Sequence, residues 1–146
     1  MMKTITNSIK IVFPAQSENE ALARMAASGF LSVSGVPVGV IAELKTAVSE
    51  GVTNAIVHGY RNMSGNVTLE LKRFASGRIK IVIRDKGVGI ADIKKAMQPL
   101  YTTAPEEERA GLGFAIMESF CDKVKDRSSP GCGTAVTLEK YIADEK

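Results

Sequence analysis

Four short stretches place residues that could do chemistry. In DKGVGI (85–90), an acid is followed by two glycines one residue apart. Asp85 there can accept a hydrogen bond from an exocyclic amino group, and the glycines let backbone approach a ligand closely or adopt positive φ. In AGLGFAIM (110–117), Gly111 and Gly113 precede an apolar run. A flexible loop feeding a helix there would offer free amides and a positive dipole end, which suit phosphate. In KTAVSEGVTNAIVHGY (45–60), Glu50 and Asn54 stand one helical turn apart, and PGCGT (130–134) puts Thr134 behind a glycine. Each has a plainer reading when taken alone: a glycine turn, a helix start, two polar flank residues, a hairpin turn. The G-x-G at 111–113 lacks the third glycine and the leading strand of a dinucleotide fingerprint. No P-loop and no eukaryotic-type kinase segments occur.

These residues must be positioned by elements that the hydrophobic pattern outlines. SIKIVF (8–13) alternates as a strand, and Pro14 ends it. Ser17 and Glu20 form a Ser-x-x-Glu capping box for a helix running to about Phe30 or Val33. Gly35 and Pro37 break that helix and open the next. In the second helix Val40, Ile41, Leu44, Ala47, Val48, Val52, Ala55, Ile56 and Gly59 form one buried stripe. Asn54 lies just beyond the Ala47 edge of the stripe, with Glu50 about 40 degrees further round, so both can line a cleft where the helix leaves a sheet. His58 falls in the stripe as a packed histidine, and the methionines are expected to fill the core.

After a turn at 62–66, strands at 67–74 and 78–85 make an antiparallel hairpin. A glycine-bracketed loop from Lys86 to Gly113 follows. Loops above roughly 12–15 residues in a compact domain are usually functional or disordered, so this one reads as a lid, over about 91–113. A short helix is expected from near Phe114 to about Asp122, then a hairpin of 123–129 and 134–141 about PGCG. The order implies an α+β fold: a two-layer α/β sandwich whose mixed, mostly antiparallel sheet carries its helices on one face.

With 146 residues, 45% hydrophobic and 24% charged, the chain suits a single globular domain spanning 1–146. A net charge of +3, dispersed along the chain, argues for neither nucleic acid nor a membrane surface as partner. Aromatics at 5% and no Trp leave little for base stacking. The two cysteines, Cys121 and Cys132, form no C-x-x-C pair, which points away from structural zinc and toward a reduced setting. The opening MMKTITNSIKIVF has no apolar run of signal-peptide or spanning length, so a soluble, cytoplasmic protein is expected.

Taken together, Glu-x-x-x-Asn on a helix, Asp-x-Gly-x-Gly after a strand, Gly-x-Gly-Phe and Gly-x-Gly-Thr resemble the nucleotide-binding boxes of the GHKL ATPase superfamily (the Bergerat fold). SENEALAR, VSEGVTNAIVHGY, DKGVGI, PLYTT and RAGLGFAIMESF are similar to the small bacterial anti-sigma factors that are also serine protein kinases, the sporulation sigma F type foremost. The resemblance runs from about residue 9 to residue 140.

It implies ATP or ADP with Mg²⁺ as cofactors. Asn54 would give its side-chain oxygen to the metal, which also fits the preference of Mg²⁺ for a few protein oxygens beside phosphates and water. Glu50 would be the general base toward a serine hydroxyl. Asp85 would read the adenine amino group, with Gly87, Gly89 and Thr134 around the base. Thr102, Thr103, Arg109, Gly111 and Gly113 would belong to the lid and the phosphates. Arg24 matches an arginine used for protein partners, and reads equally as a solvated helix charge. The implied partners are a sigma factor, a STAS-type anti-anti-sigma factor phosphorylated on serine, and a second copy of the chain. A nucleotide-gated sigma-binding switch without kinase activity, a stress-response paralogue and a detached histidine-kinase catalytic domain are the alternatives. Two positions depart from the family pattern. Gly51 stands where alanine is usual, costing roughly 1 kcal/mol of helix propensity and loosening the turn beside the base. Ala104 replaces a lysine, shifting phosphate neutralisation toward Arg109.

Overall fold

A computed structural model describes residues 4–59, 65–86, 105–129 and 133–142, without the side chains of 58–59, 105–112 and 129. Its elements are β1 (Ile5–Pro14), α1 (Asn19–Val33), α2 (Val38–Asn54) with a π turn (Ala55–Gly59), β2 (Asn66–Phe74), β3 (Arg78–Asp85), α3 (Pro105–Phe120), β4 (Lys123–Ser129) and β5 (Gly133–Tyr141). The five strands form one sheet in the order β1-β2-β3-β5-β4. All four pairings are antiparallel, so the parallel component expected of a mixed sheet is not found among the described strands.

Alternation along the strands decides which face is buried. Val67, Leu69 and Leu71 of β2, Ile79, Ile81 and Ile83 of β3, and Val136 and Leu138 of β5 are all buried on one face. Against it lie Ala23, Ala27, Phe30 and Leu31 of α1, Leu44, Ala47, Val48 and Val52 of α2, and Phe114 and Met117 of α3. The other face carries charge, with Glu70 lying 3.8 Å from Arg84 and 3.7 Å from Lys72. The helices are thus one layer on a sheet whose far side carries these charges beside Val12 and Val82. α2 is the middle helix, packed on both α1 and α3.

Several boundaries follow from local chemistry. Gly35 (φ 76°) ends α1 in a Schellman turn, in which Val36 N–H donates to Leu31 O at 3.1 Å. The expected side-chain cap from Ser17 is not formed. Glu18 holds the N-cap position without a side-chain bond, and Ser17 contributes its carbonyl to Glu20 N–H at 3.2 Å. A turn after Pro14, tied by Asn19 Nδ2 donating to Pro14 O at 2.9 Å, fixes the helix start instead. β1 begins at Ile5 rather than residue 8 because β2 offers it a partner along its whole length, as far as Ile5 opposite Phe74.

The largest correction concerns α3. A loop was expected to persist to Gly113, yet the helix begins at Pro105 and takes in both Gly111 and Gly113. Pro-Glu-Glu-Glu is a strong helix opening, with proline tolerated in the first turn and acids favourable at the positive dipole end. The free amides expected at Gly111 and Gly113 therefore lie inside a helix. Gly51 is likewise not loose: it is buried, and a β-carbon there would run into Ile83 Cδ1. Of the methionines, Met117 is core but Met25 is 70% exposed. Among the described residues no helix is long and apolar enough to cross a membrane.

Candidate functional site

α2 reaches the end of the sheet with Glu50 half-buried and Asn54 only 9% exposed. Directly after Asn54 the helix widens into the π turn, which packs on β3, β5 and α3. Such single-turn π segments occur often at functional sites. Both polar atoms of the Asn54 carboxamide are buried without a hydrogen-bond partner among the described residues. Leaving a buried donor or acceptor unmatched costs about 1–3 kcal/mol, so the carboxamide is open to a partner from outside them.

Over this pair lies the bare backbone of Gly113. A β-carbon on Gly113 would sit 3.0 Å from Asn54 Nδ2, 3.2 Å from Glu50 Oε2 and 3.3 Å from Asn54 Oδ1. Any larger residue would press on both side chains, so the glycine is what lets α3 close on them. Burial raises the affinity of the Glu50 carboxyl for its proton above the ordinary carboxylate range, and the neighbouring Glu20 carboxylate adds to this. Glu20, on the first turn of α1, lies 3.7 Å from Arg24 Nε. Arg24 thus reaches the site's border through Glu20, with its own side chain 43% exposed.

A second cluster stands where β3 ends. Asp85, 8% exposed, faces the helix layer directly opposite Thr134 of β5, and Thr134 in turn faces Ser128 of β4. Thr134 Oγ1 and Ser128 Oγ are 2.8 Å apart, and Ser128 Oγ donates to Gly133 O at 3.2 Å. Gly133 adopts φ 89°, and a β-carbon there would overlap the Asp85 carbonyl oxygen and lie 2.6 Å from Lys86 Cα. Only glycine lets β5 come this close to the end of β3. The Gly-x-Gly-Thr motif therefore has a structural reason at its second glycine.

The structure thus brings together Glu50, Asn54 and Gly113, and separately Asp85 and Thr134, at the end of the sheet reached by the π turn. Gly87, Gly89, Thr102 and Thr103 lie outside the described residues, as do the side chains of Arg109 and His58 and the turn at 130–132. For Gly111 only its place within α3 is described. Ser128 and Glu20 were missed as site residues. The alternation of β4 could have revealed Ser128, and the four-residue step from Glu20 to Arg24 was overshadowed by the capping-box reading. A cavity of about 540 Å³ opens at the opposite end of β3, lined by Val36, Phe74, Gly77, Ile79 and Ile142 among others, and holds none of the residues above. Cys121 lies away from both clusters; burial pushes its thiol up to about 11, which leaves it protonated and unreactive.

Asn54 Oδ1 is chemically suited to a hard cation: a neutral amide oxygen with no competing partner among the described residues. Among the described residues there is no cluster of three or more His, Cys, Asp or Glu to hold a metal by protein ligands alone. A cation here would draw its remaining ligands from elsewhere, as Mg²⁺ does with phosphates and water.

Comparison with known proteins identifies the family of the chain. The model of the histidine kinase-like ATPase domain matches residues 13–140. A protein of Thermoanaerobacter sp. (strain X514) named anti-sigma F factor is 48% identical over 97% of this chain and 98% of its own. One of the same name from Halalkalibacterium halodurans is 44% identical, over 96% of each chain. Among solved structures, the RsbU and RsbW domains of a Mycobacterium tuberculosis protein superpose with a TM-score of 0.71 at 21% identity, covering 96% of this chain and 34% of that one. The histidine kinase domain of a blue-light activated kinase from Erythrobacter litoralis gives 0.57 at 20% identity, over 84% of this chain and 60% of that one. At these identities the two structures speak for the fold alone.

Proposed function

The chain belongs to the histidine kinase-like ATPase domain family and, within it, to the anti-sigma F factors, and on that premise we propose that it is an ATP-dependent serine kinase that also sequesters a sigma factor. Its phosphoacceptor would be a STAS-type anti-anti-sigma factor, and the sequestered protein a sigma factor of the sporulation sigma F type. The observation that carries this reading is the Asn54 carboxamide, buried without partners beside Glu50 and beneath Gly113. A pure structural helix has no reason to keep that arrangement.

Each residue has a task in this reading. Mg²⁺-bound ATP supplies the phosphoryl group together with the cation that neutralises it. Asn54 holds the cation through Oδ1. Asp85 and Thr134 hold the purine, with Gly87 and Gly89 giving it access. Glu50 takes the proton of the acceptor serine, and burial, which raises its proton affinity, makes it a stronger base than a free carboxylate. Gly113 gives room for the phosphates by bringing no side chain to the pair. Thr102, Thr103, Arg109 and Gly111 complete the phosphate end. Arg24 would meet a protein partner, a reading its exposure on α1 supports. A homodimer, joined by the sigma factor, acting in the cytoplasm completes the proposal.

The test begins with calorimetry of MgATP and MgADP, expected to show one site per chain. Incubation with labelled ATP and the anti-anti-sigma protein should then give acid-stable phosphoserine. Binding without phosphoserine would leave a nucleotide-gated switch in place of a kinase. Acid-labile phosphate would point to histidine, and no nucleotide uptake by folded protein would end the reading.

A further inference from the structure

We propose that Ser128 fixes the hydrogen-bond polarity of Thr134, making the purine end of the site acceptor-only and so selecting a 6-amino over a 6-oxo purine. This rests on the nucleotide-binding reading above and adds to it a positioning residue that acts through Thr134. The three side chains stand in a row on the inner face of adjacent strands: Asp85 opposite Thr134, and Thr134 opposite Ser128. A hydroxyl has one proton and two lone pairs. Ser128 Oγ donates its proton to Gly133 O at 3.2 Å. In the 2.8 Å contact between the two hydroxyls either could donate, and the bond to Gly133 O assigns that role to Thr134. That leaves Thr134 Oγ1 with lone pairs only for a ligand. An ionised Asp85 is likewise acceptor-only.

A 6-amino group brings N–H donors to such a site, whereas a 6-oxo group brings an acceptor that would leave the site's own acceptors unmatched. The carbonyl that takes the Ser128 proton belongs to Gly133, whose φ of 89° also permits the close approach to Asp85. One backbone conformation thus sets both the distance and the direction of the hydrogen bonds. Without Ser128 the Thr134 hydroxyl is released to turn its proton toward a ligand carbonyl.

The experiment compares Mg²⁺ complexes of ATP and ITP by calorimetry, since the two differ only at the 6-position and the N1 proton that follows from it. Wild type should prefer ATP. In Ser128→Ala the ATP/ITP affinity ratio should fall about fivefold to tenfold, the worth of one hydrogen bond exchanged. Ser128→Thr, which keeps the hydroxyl, should hold the wild-type ratio. Thr134→Val, which has no proton to redirect, should weaken ATP without any gain for ITP. A merely structural role for Ser128 would weaken both nucleotides alike, so an unchanged ratio in Ser128→Ala, with ATP still bound, overturns the inference. If Ser128→Ala does not fold, Ser128→Cys, whose thiol is a weak donor, takes its place: a lowered ATP/ITP ratio supports the inference and a wild-type ratio overturns it. Wild-type protein that bound neither nucleotide would defeat the functional reading itself, a result distinct from a ratio that fails to move.

Discussion

Two glycines bring neighbours close to α2 from different sides, and the contacts differ in kind. At Gly51 the absent β-carbon is replaced by Ile83 Cδ1 from β3, with Met117 Sδ 3.5 Å from where it would stand. At Gly113 the space belongs to α3 and is bounded by Asn54 and Glu50. The first approach buries hydrocarbon against hydrocarbon, each group gaining dispersion contacts and losing water. The second brings backbone against a carboxylate and an unmatched amide, which lowers no energy on its own. Close packing at Gly51 is an end in itself, while close packing at Gly113 encloses the Asn54 carboxamide beside a half-exposed Glu50 without matching its hydrogen bonds among the described residues.

That contrast can be broken at several points. The largest effect should come from Glu50→Gln, which removes the proposed base while keeping shape. Phosphotransfer to the anti-anti-sigma protein should fall about 10²–10⁴-fold, with MgATP affinity by calorimetry nearly unchanged. Retained phosphotransfer would remove Glu50 from the chemistry. Next, Gly51→Ala should destabilise the fold by about 1–3 kcal/mol in urea unfolding, as overpacking does. Ile83→Val in the same chain should recover part of that loss, because the two changes share one space. A Gly51→Ala protein as stable as wild type would mean that Ile83 has room to spare.

Gly113→Ala should behave in the opposite manner. Stability without nucleotide should change by under about 1 kcal/mol, since alanine's helix propensity offsets the crowding. MgATP affinity should drop about tenfold, or 1.4 kcal/mol. Equal stability losses at Gly51 and Gly113 would erase the distinction between them. The smallest effect concerns pH. The Glu50 proton is held more tightly in the folded than in the unfolded chain, so the group favours folding in acid, below its ordinary value of 4.5. That contribution is lost as pH rises through the raised folded value. Thermal unfolding of Glu50→Gln should accordingly match wild type near pH 4 and exceed it at pH 7. The gain should be only about 0.5 kcal/mol, because water screens a half-exposed carboxyl. A gap that widened toward acid would contradict the burial argument.

Much of the framework was legible in the chain because its signals were local. The alternation of 67–74 and 78–85, the stripe of α2, the Gly35 stop and Asp85 at a strand end each depend on neighbours within a few residues. The errors fell where distant contacts decide. Gly111 and Gly113 read locally as a loop ahead of a helix, yet the helix takes in both, and at Gly113 the missing side chain leaves room for Asn54 and Glu50 of α2. Gly51 looked like a defect in helix propensity until Ile83, thirty-odd positions away, was seen to fill it. Ser17 had the side chain for a cap, but the turn from Pro14 placed its carbonyl there instead. Ser128 was invisible because its meaning comes from two registers at once, its own against β5 and that of β5 against β3.

In the strand order β1-β2-β3-β5-β4, the last strand to be synthesised is inserted between two that precede it. A chain still emerging from the ribosome can pair β1, β2 and β3, but Asp85 has no Thr134 beside it and β4 has no β5 to pair with. The register that sets Asp85 against Thr134 therefore comes last in synthesis, when the carboxyl-terminal hairpin docks.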